Sequence, residues 1–146
     1  MEGKIWNLLL LPYLSGLATQ IIKFLNYFIA SREISFRKLR ELGGMPSAHS
    51  ASSITLTTLI GIYYGMNSPL FIISLFISAI VMVEAVGVRR IAGSNALVLN
   101  QILDKLPDRE VINSEMLDVP VGHTPLEVIM GSMFGFTFAF AFAGGI

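Results

Sequence analysis

The chain contains no cysteine. Disulfides, thiolate nucleophiles and cysteine–zinc sites are therefore excluded. Only two histidines occur among 146 residues, so any imidazole chemistry rests on His49 and His123. Charge is also scarce. Asp, Glu, Lys and Arg make up 14% of the residues, against about a quarter in a soluble domain. Ten basic and ten acidic residues cancel, so no global positive field exists and nucleic acid is not an expected partner. What abounds is apolar: 53% of the residues are hydrophobic, and the mean hydropathy is +0.69. Neither a water-soluble globule nor a disordered chain fits such a composition. The length suits one domain, read here as a single membrane-embedded unit over residues 1–146. No internal repeat and no low-complexity tract interrupts it.

A helix needs about 20 apolar residues to cross the bilayer core. Four segments approach that length: Ile5 to Ile29, Ser50 to Met66, Pro69 to Val88, and Pro125 to the C-terminus. The second is short and rich in Ser and Thr, which places it inside the bundle. In the fourth, Gly131 and Gly135 have the small-xxx-small spacing that lets helices approach closely. The N-terminal apolar run is too long for a cleaved signal and lacks a clear cleavage site. Between the spans, residues 30–49 and 87–124 carry eight of the ten basic residues. The positive-inside rule puts both stretches in the cytoplasm and both chain ends outside, with Lys4 as the one dissenting charge. Leu99, Ile102, Leu103 and Leu106 repeat at helical spacing in the second stretch. They predict an amphipathic helix, lying on the membrane surface or on the bundle, that ends at Lys105-Leu106-Pro107-Asp108. The expected fold is all-α: an integral membrane bundle of about four transmembrane helices plus an amphipathic helix.

Polar residues at the buried ends of spanning helices are costly and tend to be functional. Here three such groups fall on one side of an antiparallel bundle. Gly43-Gly44-Met45-Pro46-Ser47-Ala48-His49-Ser50 opens the second span. Glu84 to Arg90 closes the third. Gly122-His123-Thr124-Pro125-Leu126-Glu127 opens the fourth. Helix N-termini present free backbone N–H groups that suit an anion. Arg89 and Arg90 can grip phosphate oxygens. A neutral imidazole can attack phosphorus, and a protonated one can serve a leaving oxygen. Glu127, one helical turn beyond His123, can hold that ring in one tautomer.

Each piece also has a plainer reading. Thr124-Pro125-Leu126-Glu127 is a capping box with proline at the first helical position. Ser47 can simply cap its helix. His49 alone reads as a satisfied polar residue. Arg89 and Arg90 read as positive-inside anchors, and Lys23 as a snorkelling side chain. The combination on one face is more specific than any member.

At these residues the chain resembles a family. Pro46-Ser47-Ala48-His49 is similar to the Pro-Ser-Gly-His motif of the type 2 phosphatidic acid phosphatases and vanadium haloperoxidases. His123 to Gly131 resembles their His-x3-Asp-Val-x2-Gly motif, with Glu127 in place of Asp. The wording Gly-Gly-Met-Pro-Ser-Ala-His-Ser, Gly-Val-Arg-Arg-x-Ala-Gly and Gly-His-Thr-Pro-x-Glu-Val is closer to a divergent branch of that superfamily. The similarity runs from about Leu17 to Gly135. The resemblance implies metal-independent hydrolysis with no cofactor. His123 would attack phosphorus and become phosphohistidine, Glu127 would orient the ring, and His49 would protonate the leaving group and then activate water. Ser47 and the Ala48 backbone N–H would bind phosphate oxygens, with Arg89 or Arg90 replacing the arginine that the family places shortly before its nucleophile. The family's first motif, a lysine followed by Arg-Pro, is absent as written. Lys23 with Arg32 or Arg37 is the nearest substitute. Six spans are usual in the family, so a second copy of the chain, as a homodimer, would supply missing packing surface.

The expected function is a multi-pass membrane phosphatase with its site at the cytoplasmic face. It would act on a lipid phosphate, a lipid diphosphate or another phosphorylated small molecule, with membrane lipids around it. Two alternatives stay open. One is an anion- or lipid-binding scaffold with weak or lost turnover. The other is a small transporter component with Lys23 and Glu84 as charges on its pathway.

Overall fold

The computed structural model describes residues 2–32, 44–105, 117 and 122–144, apart from the side chains at 2, 30, 31, 89 and 90. Arg37 and Leu106 therefore lie outside the described residues. So do the side chains of Arg89 and Arg90.

Five helices follow in order: α1 (Glu2–Ser31), α2 (Ala48–Tyr64), α3 (Pro69–Val86), α4 (Val88–Lys105) and α5 (Pro125–Phe142). The protein is an all-α integral membrane protein. Three stretches are long and apolar enough to cross a bilayer: Gly3–Ile29, the run beginning at Pro69, and Pro125–Phe142. At 17 residues α2 is shorter, about 25 Å at 1.5 Å per residue. It is nevertheless the centre of the molecule, packed against α1, α3 and α5. Its Ser and Thr residues explain this place. Without a hydrophobic force between helices in lipid, small residues and interhelical hydrogen bonds drive packing. Thr55 Oγ1 lies 2.9 Å from Ser15 Oγ of α1 and 3.0 Å from the Gly135 carbonyl of α5. Thr57 Oγ1 lies 2.8 Å from Ser78 Oγ of α3. At the far end, Asn7 donates to the Tyr63 hydroxyl at 2.8 Å, and that hydroxyl donates to the Ala143 carbonyl at 2.7 Å. These links set the directions: α2 and α5 run parallel, and α1 runs against them.

Glycines set the tightest contacts. A Cβ on Gly135 would stand 2.9 Å from the Ala51 Cα and carbonyl carbon. One on Gly131 would stand 3.0 Å from the Ser47 backbone nitrogen. The small-xxx-small pair thus docks backbone against backbone on the first turns of α2. Large apolar side chains instead face outward along the spans, among them Leu9, Tyr13, Ile21, Phe76, Val83 and Phe136. That inside-out distribution is what a lipid solvent selects. Pro12 sits inside α1 without ending it, as membrane helices tolerate.

Candidate functional site

The site is assembled where α2 and α5 begin and α3 ends. Ser47 caps α2 with an extended backbone, and its Oγ accepts from the Ser50 N–H at 3.4 Å and the Ser50 hydroxyl at 3.1 Å. Its own N–H donates to the Glu127 carbonyl at 3.0 Å, tying the start of α2 to the first turn of α5. The His123 N–H donates to the Ala85 carbonyl at 3.0 Å, tying the approach to α5 to the end of α3. Gly44 turns the chain toward Pro46 with φ +92, a left-handed conformation in which a Cβ would be strained. Three polar segments far apart in sequence thus share one end of the bundle.

Glu127 carries two of the sequence readings at once. Thr124 Oγ1 accepts the Glu127 N–H at 3.3 Å, and Glu127 Oε2 accepts the Thr124 N–H at 3.2 Å, which completes the capping box. The same Oε2 lies 2.8 Å from His123 Nδ1. With Pro125 at the first helical position, the start of α5 is stiff. The carboxylate is thereby held in place by the helix it caps, and it holds the ring in turn. An Nδ1–H that donates to the carboxylate leaves Nε2 as the nitrogen with a free lone pair.

His123 is 1% exposed. Its Nε2 is buried and has no hydrogen-bond partner among the described residues. A buried polar atom left unmatched costs about 1–3 kcal/mol, so such an atom calls for a partner, an ordered water or a bound ligand. The ring of His49, in the first turn of α2, stands 6.4 Å from that of His123 between centroids, at 64°. The rings meet edge to face rather than stacked. Lys23 on α1 points into the same end. Its Nζ is buried with no hydrogen-bond partner among the described residues. Its stem passes 3.9 Å from where a Gly44 Cβ would stand.

The remaining sequence candidates divide. Ala48 is the first residue of α2, where backbone N–H groups lack acceptors within the helix. Ser47 is fully buried, but its backbone N–H is committed to Glu127, which leaves the hydroxyl as its polar contribution. Arg32 is exposed at the end of α1 with φ 55, and no described contact brings it to the histidines. Arg89 and Arg90 lie in the first turn of α4, three and four residues past the end of α3 at Val86. Glu84 is exposed on α3 rather than turned into the bundle.

One feature had no reading in the sequence. An open groove of about 540 Å³ runs between α1 and α3 over the surface of α2. Pro12, Gly16 and Gln20 form its α1 wall, His49, Ser52 and Leu56 its floor, and Val81 its far side. It exists because α1 and α3 both pack on α2 but scarcely touch each other. One signal could have found it: Gln20 precedes Lys23 by one turn, and Ser52 follows His49 by one turn, so both line the same path to the site.

Comparison with known proteins agrees with this architecture. Residues 6–138 match the sequence profile described as the divergent PAP2 family. The chain is 35% identical to the uncharacterized membrane protein YuiD of Bacillus subtilis (strain 168), over a 141-residue alignment that covers 85% of this chain and 88% of that protein. No solved structure matches.

Proposed function

The chain belongs to the divergent PAP2 family, and from that premise we propose that it is a metal-independent phosphatase acting on a lipid phosphate or diphosphate. The observation that carries this reading is the His123 ring, clamped at Nδ1 by Glu127 and unmatched at its buried Nε2.

The chemistry follows from the positions. His123 Nε2 attacks phosphorus, forming an N–P bond as the P–O bond to the leaving group breaks. The leaving oxygen takes a proton from His49 in its imidazolium form. Glu127 offsets the positive charge that the His123 ring then carries. His49, now neutral, takes a proton from water as that water attacks phosphorus. The N–P bond breaks, its electron pair returns to Nε2, and His49 regains its proton. The products are inorganic phosphate and a lipid alcohol, or a lipid monophosphate from a diphosphate. Lys23, the Ala48 backbone N–H at the start of α2 and the Ser47 hydroxyl supply the charge and donors for the phosphoryl oxygens. Arg89 or Arg90 adds a guanidinium from the start of α4. The hydrocarbon chain of the substrate lies in the groove, whose apolar walls lead away from His49 while Lys23 awaits the anionic head. The site faces the cytoplasmic leaflet, by the positive-inside bias.

Purified protein in detergent should release phosphate from lipid phosphates in the presence of a chelator, and His123→Ala should not. Brief reaction with a radiolabelled phosphate should leave acid-labile, base-stable label on the wild type. No turnover and no label over a panel of lipid phosphates, with vanadate still bound, would favour the scaffold reading. The absent Lys…Arg-Pro motif is the feature that supports that second reading. A transport path has less support, because Glu84 lies on the exposed face of α3. For orientation, Phe36→Cys should resist an impermeant thiol reagent applied outside intact cells.

A further inference from the structure

Beyond the first turn that carries Arg89 and Arg90, helix α4 takes no part in the histidine site, and its surface is divided in an unusual way. Projected at 100° per residue, Val88, Ile91, Val98, Leu99 and Ile102 fall on one side, with Asn95 the single polar residue among them. Gln101, Asp104 and Leu97 fall opposite, and Ser94 and Lys105 stand along one edge of the apolar face. All five apolar residues are exposed, from 48% at Leu99 to 64% at Ile91. Among the described elements α4 packs against α3. What is covered is a narrow strip beside the apolar face. It contains Gly93, Ala96 and Asn100. There the Asn100 side chain pairs with the backbone of Leu117, donating to its carbonyl at 3.0 Å and accepting its N–H at 2.9 Å. Leu117 therefore touches α4 away from its apolar face.

We propose that α4 is an interfacial helix, with its Val88–Ile102 face sunk in the acyl boundary of an anionic membrane surface. Three observations support that occupant over a protein. First, α4 continues directly from α3 through the single residue Gly87, within one apolar run that begins at Pro69; the 18 residues of α3 already span about 27 Å at 1.5 Å per residue, close to the roughly 30 Å of a bilayer core, which leaves α4 for the interface. Second, Gly87 has φ −91 and ψ −73, away from regular helix values near −63 and −42. That departure is a bend point at which α4 can leave the direction of α3. Third, α4 carries three basic residues and one acidic residue, which matches an anionic leaflet. Projecting the same apolar face into water would expose five large side chains at once, against the hydrophobic effect. The consequence for the site is one of depth. The Ala85 carbonyl holds the His123 N–H three residues before α4 begins, so a helix fixed in the interface fixes the imidazoles near the plane of the lipid headgroups. This inference stands on α4 alone and does not require the phosphatase reading.

The absence of cysteine makes the test clean. Nitroxide-labelled Leu99→Cys and Gln101→Cys variants of the full chain would be reconstituted in vesicles of phosphatidylcholine and phosphatidylglycerol. The Leu99→Cys label should be reached by oxygen and shielded from a water-soluble nickel chelate, and the Gln101→Cys label should show the reverse. Tryptophan placed at Ile102, in a Trp6→Phe background, should lose roughly half its emission to acyl chains brominated near the headgroup. This second probe keeps the idea testable where a labelled variant fails to fold. Equal chelate access at both positions overturns the proposal, since α4 would then stand in water. A residue 102 tryptophan that is blue-shifted but unquenched by brominated lipid also overturns it, since protein would then cover the face.

Discussion

Replacing Glu127 with glutamine separates the two jobs of its carboxylate. In the native site Oε2 receives both the Thr124 N–H at 3.2 Å and His123 Nδ1 at 2.8 Å. Glutamine has the same length and keeps one oxygen, so it can still accept the Thr124 N–H and close the capping box. Losing the reciprocal half of the capping box, as in Glu127→Ala, where Thr124 still accepts the residue 127 N–H, would cost about 0.3–1.5 kcal/mol. Glutamine should cost less, and thermal unfolding in detergent should shift little. The ring is affected differently. With the oxygen taken by Thr124, the amide presents N–H groups to Nδ1. The ring then accepts at Nδ1 and carries its proton on Nε2, the nitrogen that must attack. The wrong tautomer in a carboxylate–histidine pair costs turnover about 10⁴-fold, so Glu127→Gln should lower phosphate release on that order while leaving the fold intact. Nitrogen-15 spectra of histidine-labelled protein read the same event without activity: the His123 Nε2 resonance should move from the bare-nitrogen range to the protonated range. Glu127→Gln turnover within about tenfold of wild type, together with an unmoved Nε2 resonance, would refute the reasoning. The carboxylate would then be only a cap.

Further outcomes follow from other residues. Lys23→Met removes a buried ammonium that has no hydrogen-bond partner among the described residues; vanadate binding measured by calorimetry should weaken at least about tenfold, the effect of losing a charged contact of about 1.4 kcal/mol or more, while thermal stability holds or rises. Gly135→Val forces α5 off the Ala51 backbone and should abolish the folded protein in detergent, by size-exclusion profile, whereas Phe136→Val on the lipid face should not. Leu56→Trp fills the groove floor and should slow hydrolysis of long-chain lipid phosphates while sparing a short water-soluble phosphate ester; equal loss on both would remove the groove from the substrate path. Tyr63→Phe breaks the Asn7–Tyr63–Ala143 chain at the far end and should lower stability by about 0.6–1.7 kcal/mol in thermal unfolding, with phosphate release unchanged.

Much of the bundle could be read from local chemistry. The bundle helices are apolar runs, and three of them begin with a cue that needs no partner: Ser47 before α2, Ser68-Pro69 before α3 and Thr124-Pro125 before α5. The central place of α2 followed from its Ser and Thr residues, since hydroxyls avoid lipid and seek other helices. The Gly131/Gly135 pair announced a close contact but not its partner. Which backbone it meets depends on the register of α2 against α5, and register is a property of the packed pair. The histidines, Glu127 and Lys23 were visible as candidates for a related reason: polar side chains in so apolar a chain are few enough to count.

The amino-acid sequence by itself determined that this chain lives in a membrane, where its helices begin, and which few polar groups stand at their ends. These depend on transfer energies and capping bonds within a few residues of one another. Tertiary structure alone decided that His123 Nε2 is left buried and unmatched while Glu127 serves cap and ring together. It also decided that His49 stands 6.4 Å away, and that α1 and α3 part to leave a groove. Those facts arise from how three helices cross on α2, and crossing depends on contacts between residues 80 and more positions apart, which no local pattern encodes.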